Sequence, residues 1–261
     1  MQHVNGIAYT TAGPQDAPAI VFSNSLGTTL EMWSPQLDAL AERYRIVRYD
    51  TRGHGDSISS PGPCTLDMLG QDVLTVLDAL AIERAHFCGI SMGGLTGQWL
   101  GVHACERIDT LIVANTAARI GSYEGWSQRA ALVRARGMNE VADGAAGRWF
   151  TTEVIERRPN VVARLTDQLR ATPQHGYAAC CDALSTADLR GEIERIAAPT
   201  LVIAGRYDPV TTIDDARFIV DRVPGARMVA LDASHLSNVE AAQAFNAALL
   251  AFLTQSEREQ R

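Results

Sequence analysis

The feature that most restricts how this chain can fold is a repeated exchange of two hydrophobic patterns. Short apolar segments at 18–23 (PAIVFS), 44–50 (YRIVRYD), 85–90 (AHFCGI), 108–115 (IDTLIVAN), 198–208 (APTLVIAGRYD) and 226–235 (ARMVALDASH) alternate with stretches of helical period. Near-continuous apolar segments of this length read as strands buried on both faces, the condition of a parallel sheet covered by helices. Segment 65–80 shows the helical pattern, with Leu66, Leu69, Val73, Val76, Leu77 and Leu80 on one face and Thr65 as cap. Segment 34–44 reads as a helix with Ser34 as N-cap and Pro35 in its first position. Residues 93–108 and 238–255 supply two more helices, the second closing the chain.

One stretch breaks the rhythm. Residues 121–190 contain no strand pattern and read as several helices rich in Ala and Arg. An all-helical insertion between two core strands belongs above the carboxyl edge of the sheet, where ligands bind in α/β folds. The expected organisation is a core of 1–120 and 191–261 with a helical lid at 121–190; an extra stabilising layer is the alternative reading of the insertion.

Composition limits the partners. With 46% hydrophobic and 20% charged residues the chain is globular, and its net charge of −7 argues against nucleic acid. A small anion stays compatible, because a local arginine can oppose the overall sign. The start MQHVNGIAYT lacks the basic and apolar regions of a secretory leader, and no apolar run reaches the ~20 residues of a membrane helix. The five cysteines (64, 88, 105, 180 and 181) form neither a disulfide framework nor a zinc-like spacing, and the adjacent Cys180 and Cys181 read as helix packing. The expectation is a cytoplasmic protein without metal or cofactor; oligomeric state is not legible.

The strand at 85–90 runs into Gly89-Ile90-Ser91-Met92-Gly93 and then a helix. This G-x-S-x-G pattern in a strand–turn–helix context is a nucleophile elbow, in which Ser91 sits on a strained turn and small residues at −2 and +2 avoid collision. The motif is weak alone, since an ordinary turn can carry the same residues. A serine hydroxyl needs a base and an orienting carboxylate to attack at neutral pH. Of six histidines, His235 follows the last strand, where it can reach Ser91. His54 is its rival, but YDTRGHGDS reads as a tight loop stiffened by glycines and an Asp–Arg contact. Asp208 stands just past the preceding strand, whereas Asp214 and Asp215 read as helix-start charges and Asp232 as serving a local turn. The order Ser91, Asp208, His235 is that of α/β-hydrolases. The backbone N–H of Met92 is one expected oxyanion donor. Leu26, in the loop SNSLGTT, is the other on position alone, because Asn24-Ser25 stands where many such enzymes have His-Gly.

With these residues in place, the chain resembles the 3-oxoadipate enol-lactonases over essentially its whole length. The resemblance is carried by SNSLGTTLEMW, YDTRGHGDS, HFCGISMGGLTGQWLG, ANTAARIG, GYAACCDAL and LDASHLSNVE; Cys105 departs from it, where proline is usual. It implies an α/β-hydrolase fold, a mostly parallel central sheet flanked by helices with an all-helical lid above its carboxyl edge. It also implies hydrolysis of an anionic enol lactone in bacterial aromatic catabolism (the β-ketoadipate pathway). The substrate carboxylate calls for a cation: Arg119 at the lid entrance and Arg129, which shares a helix face with Trp126, are candidates, with Trp149 as an apolar one. A general carboxylesterase or cofactor-free perhydrolase would share the triad, and a ligand-binding relative would keep it without turnover.

Overall fold

The computed structural model describes residues 1–59 and 62–259. An eight-stranded sheet runs β1 (Gln2–Val4), β2 (Ile7–Ala12), β4 (Arg45–Tyr49), β3 (Ala19–Ser23), β5 (Ala85–Ile90), β6 (Ile108–Ala114), β7 (Thr200–Gly205), β8 (Arg227–Leu231) from edge to edge. From β4 to β8 every neighbouring pair is parallel, while β1–β2 and β2–β4 are antiparallel. Every residue of β3, β5 and β7 is buried, as expected of strands covered on both faces.

The β1–β2 hairpin is an addition to the sequence reading, which starts the sheet at Pro18. Its turn is Asn5-Gly6, both at positive φ, a two-residue connection whose Asn-Gly signal lies in plain view in the sequence.

Helices α1 (Ser34–Leu40), α2 (Leu66–Ala79) and α3 (Met92–His103) follow the first core strands. Thr65 caps α2 as expected, accepting the Met68 N–H, and Leu66, Leu69, Val73, Val76 and Leu77 are buried, while Leu80 lies past the helix end. Ser34 does not cap α1: a short 3-10 turn over Leu30–Trp33 precedes it, Trp33 occupies the cap position, and Ser34 Oγ donates back to the Glu31 carbonyl. The turn exists because Thr29 caps it and Asp50 accepts the Leu30 N–H.

Between β6 and β7 lie α4 (Tyr123–Arg136), α5 (Asn139–Asp143), α6 (Ala146–Trp149), α7 (Thr152–Arg157), α8 (Pro159–Ala171) and α9 (Gln174–Thr186). Cys180 and Cys181 are buried on α9, as their helix-packing reading requires. Gly176 of α9 meets Gly53 of the loop after β4, and a Cβ on either would collide with the other's backbone. Helices α10 (Ile213–Val220), α11 (Ser237–Glu240) and α12 (Ala242–Glu259) complete the chain; the single closing helix of the sequence reading is interrupted at Ala241. No helix among the described residues is long and apolar enough to cross a membrane.

The Asp–Arg contact expected inside the 50–57 loop is absent. Asp50 instead accepts the N–H groups of Leu30 and Asp56, and Arg52 turns outward into a bidentate pair with Asp72 of α2 at 2.6 Å. A planar guanidinium matches both carboxylate oxygens of Asp72, a geometry that Asp50, committed to two backbone donors, no longer offers.

At the centre of the sheet, Phe22 of β3 stacks on Trp33 with ring centroids 4.6 Å apart, and both are fully buried. Phe22→Ala is expected to lower unfolding free energy by about 3–5 kcal/mol in urea titration, the range for truncating a buried aromatic; a loss below ~1 kcal/mol would mean that the core closes over the gap.

Candidate active site

Strands β5, β6, β7 and β8 are consecutive in the sheet and parallel, so the residues that leave their carboxyl ends stand side by side. Those residues are Ser91, Asn115, Asp208 and His235. Ser91 sits at φ 56°, ψ −116°, the strained conformation expected of an elbow. The turn is clamped on three sides: Ser91 N–H donates to the Ala114 carbonyl (3.0 Å), Gly93 N–H to that of Asn24 (3.1 Å), and Thr116 Oγ1 to that of Ser91 (2.8 Å). A Cβ on Gly89 would run into the Gly93 carbonyl and one on Gly93 into that of Ser23, the physical reason for small residues there.

His235 Nδ1 and Asp208 Oδ2 are 2.7 Å apart, with side chains 3% and 0% exposed. Asp208 also accepts Asn115 Nδ2 (3.0 Å), Thr211 Oγ1 (2.8 Å) and the N–H groups of Val210 and Thr211 (2.7 and 3.1 Å). Burial opposes ionisation of this carboxyl, but the charge of His235 and the hydrogen bonds from His235, Asn115 and Val210 outweigh it and hold its pKa below the ordinary value. The hydrogen bond to Asp208 leaves His235 Nε2 as the ring atom free to act toward a ligand. His235 and Ser91 line one cavity, with no hydrogen bond between their side chains among the described residues. Unliganded sites often hold such pairs apart until substrate arrives.

Asn115 has no role in the sequence reading. It donates to both Asp208 and the Ser234 carbonyl and accepts Ser237 Oγ at 2.5 Å, tying three strand ends together. Its position as the first polar residue after the apolar run of β6 was the available signal. Asp214 and Asp215 lie in the first turn of α10, where Asp215 forms a capping box with Thr212. Asp232 pairs on the surface with Arg206 at 3.0 Å.

The N–H groups of Leu26 and Met92 have no protein acceptor among the described residues, and Leu26 borders the cavity beside Ser91. Met92 opens α3, so its N–H is free by position and lies at the positive end of the helix dipole.

The cavity measures about 260 Å³, small against the roughly 300–1,000 Å³ usual for drug-sized ligands. Trp126, Arg129 and Trp149 line it as the sequence suggests, and Arg148 and Tyr177 join them. Arg129 stacks its guanidinium on Trp126 at 5.3 Å. Arg148 donates to the Val141 carbonyl at 2.7 Å. Neither arginine forms an ion pair with a carboxylate among the described residues. Burial, and then the like charge of Arg129, hold Arg148 below its ordinary pKa. Arg119 does not line this cavity; it pairs with Asp188 at 3.4 Å and borders a separate pocket beside Asp214 and Phe218 of α10. The residues that follow it, Ile120 and Gly121, do line the cavity, and Trp126 Nε1 donates to the Ile120 carbonyl at 2.6 Å. Cys105 is exposed and does not line the cavity.

The profile of the alpha/beta hydrolase fold matches residues 18–242. The chain belongs to the α/β-hydrolase family. Over 94% of its length this hydrolase is 50% identical to 3-oxoadipate enol-lactonase 2 of Acinetobacter baylyi, covering 92% of that protein. It is 48% identical to 3-oxoadipate enol-lactonase 1 of the same organism, over 89% of this chain and 87% of the other. The crystal structure of the enol-lactonase from Burkholderia xenovorans LB400 superposes with a TM-score of 0.94 at 48% identity, covering 96% of this chain and 98% of that one.

In this hydrolase His54, the rival base, does not line the cavity that holds Ser91; it is fully buried, with burial lowering its pKa from 6.5 to about 4 and the Arg52 carbonyl opposing that. As pH falls below 6.5 the unfolded chain binds this proton and the folded one does not. The stability from a neutral His54 is therefore complete above 6.5 and lost between 6.5 and about 4, up to about 3 kcal/mol. Burial lowers His86 too and adds in the same direction. Urea unfolding at pH 7, 5.5 and 4.5 is expected to show this decline and a shallower one in His54→Gln; identical slopes in the two proteins would refute the assignment.

Proposed function

We propose that this hydrolase opens 3-oxoadipate enol-lactone to 3-oxoadipate by a Ser91–His235–Asp208 mechanism. The observation that carries the reading is the shared cavity. A strained serine and a carboxylate-backed histidine line a small chamber together with two guanidiniums, Arg129 and Arg148, that have no carboxylate partner among the described residues. An uncharged ester needs neither cation, whereas a small lactone with a carboxymethyl arm suits both ends of the chamber. The likeness to enol-lactonases at about half identity supports the same substrate.

In this mechanism His235 Nε2 takes the Ser91 proton as Oγ attacks the ring carbonyl. The N–H groups of Leu26 and Met92 receive the oxyanion. Collapse breaks the ring C–O bond and expels an enolate, which His235 protonates. The leaving group stays tethered to the acyl chain, and its tautomerisation to the ketone removes the nucleophile that would close the ring again. Water, deprotonated by His235, then releases 3-oxoadipate and restores Ser91. Asp208 holds the His235 tautomer and balances its charge. Helices α4–α9 act as the lid that carries the substrate-binding residues, and the reaction belongs to the β-ketoadipate route of bacterial aromatic breakdown.

Ser91→Ala is expected to abolish loss of the enol lactone, followed by ultraviolet absorbance, while circular dichroism stays that of the wild type; full activity in this variant would end the mechanism. Arg129→Met and Arg148→Met are each expected to lower kcat/KM for the anionic lactone by about 10–100-fold, the 1.5–3 kcal/mol of a charged hydrogen bond, and to leave p-nitrophenyl acetate hydrolysis within ~3-fold of wild type, roughly 0.6 kcal/mol. Equal losses on both substrates would deny the arginines a carboxylate-binding role, and a wild-type preference for the acetate would favour a general esterase.

A further inference from the structure

We propose that His54, which does not touch substrate, is a positioning residue for the oxyanion hole, holding the turn that presents the Leu26 N–H. The role rests on the oxyanion function given to Leu26 under the proposed mechanism.

Leu26 and Gly27 are the two central residues of a turn closed by Thr28 N–H on the Ser25 carbonyl at 3.1 Å. Gly27 has φ +83°, the sign that a type II turn requires at its third residue. Type I and type II turns differ by rotation of the peptide between the two central residues, so something must select its orientation. The base of the turn is well anchored. Asn24 binds the Tyr49 carbonyl (2.8 Å) and the Trp33 indole (3.0 Å), and Thr28 Oγ1 binds the Ser25 carbonyl (2.7 Å). At the apex, the Leu26 N–H has no protein acceptor among the described residues. The Gly27 N–H does, and it is His54 Nε2, at 2.9 Å.

The ring can serve in one tautomer only. The Arg52 carbonyl, 3.2 Å from Nδ1, can only accept, so Nδ1 carries the hydrogen and Nε2 presents a bare lone pair to the Gly27 N–H. The ring itself is fixed from behind. His54 N–H donates to the Thr51 carbonyl (2.9 Å), its own carbonyl accepts Ser57 N–H (3.0 Å), and Tyr177 of α9 packs against the imidazole at a 47° tilt with centroids 6.3 Å apart. Gly53, one residue earlier, is pressed against Gly176 of the same helix. His54 thus transmits the seating of α9 to the peptide that follows the oxyanion donor. A donor displaced by about 1 Å costs catalysis on the order of 10²-fold while leaving ground-state binding largely intact.

The test compares His54→Leu, which fills similar space without an acceptor, with His54→Gln, whose amide oxygen can accept the Gly27 N–H. Readouts are kcat and KM for the enol lactone, affinity for a trifluoromethyl ketone that forms a tetrahedral adduct, and affinity for 3-oxoadipate. His54→Leu is expected to lower kcat about 10²-fold and weaken the ketone in parallel, with KM and 3-oxoadipate affinity within about 3-fold of wild type. His54→Gln is expected to recover at least ~10-fold of that loss. If His54→Leu does not fold, His54→Asn, whose amide falls short of Gly27, takes its place with the same expectation. Wild-type kcat in the Leu or Asn variant, or equal kcat in that variant and the Gln variant, would overturn the proposal, as would loss of 3-oxoadipate binding in step with the ketone. Hydrolysis of p-nitrophenyl acetate uses the same hole, so the comparison is repeated on it. Inactive wild type on the lactone with the His54 pattern intact on the acetate would refute the substrate assignment and leave the positioning role standing.

Discussion

A carboxylate with no exposed surface sets the terms for this molecule. Stripping water from Asp208 is costly, and the fold offsets that cost with donors drawn from three strand ends: the side chains of Asn115, Thr211 and His235 and two backbone N–H groups. Each donor must arrive at its own angle, which requires β6, β7 and β8 to end at one level. The antiparallel hairpin, the covering helices and the register of the sheet are all compatible with other sites; the environment of Asp208 is compatible with little else.

The second constraint comes from two arginines that line the same cavity. Two guanidiniums line a chamber whose described residues include no carboxylate partner for either, so their like charges repel and an anion between them would relieve that. Arg119 shows the contrast, because its pairing with Asp188 already satisfies it. The overall negative charge of the chain therefore does not set the sign of a small ligand, on which two arginines lining one cavity bear directly.

The sequence displays much of this and hides the rest for definite reasons. Buried strands such as β5 and β7 are near-continuous apolar runs, and Ser91, Asp208 and His235 follow them directly, so topology alone brings them near each other. Asn115 is harder to read because its chemistry is second-hand: its place at the end of the apolar run marks a strand end, but its action on Asp208 depends on the neighbouring strand. That Arg148 lines the cavity and Arg119 does not depends on how the insertion folds back, and helical period does not encode where a helix lands. Ser34 was mistaken for a cap because the 3-10 turn before it is held by Asp50, twenty residues away in sequence. The Asn5-Gly6 hairpin, by contrast, is fully legible in the sequence.

Strand β8 lies at one edge of the sheet, paired on one side only, and most of its residues are partly exposed. The elbow that holds Ser91 follows an interior strand and is gripped from several directions. Edge elements open at lower free energy than the centre of a domain, in local excursions that leave the remainder folded. His235 hangs from that edge. Local opening of this edge therefore displaces His235 without requiring the core to melt.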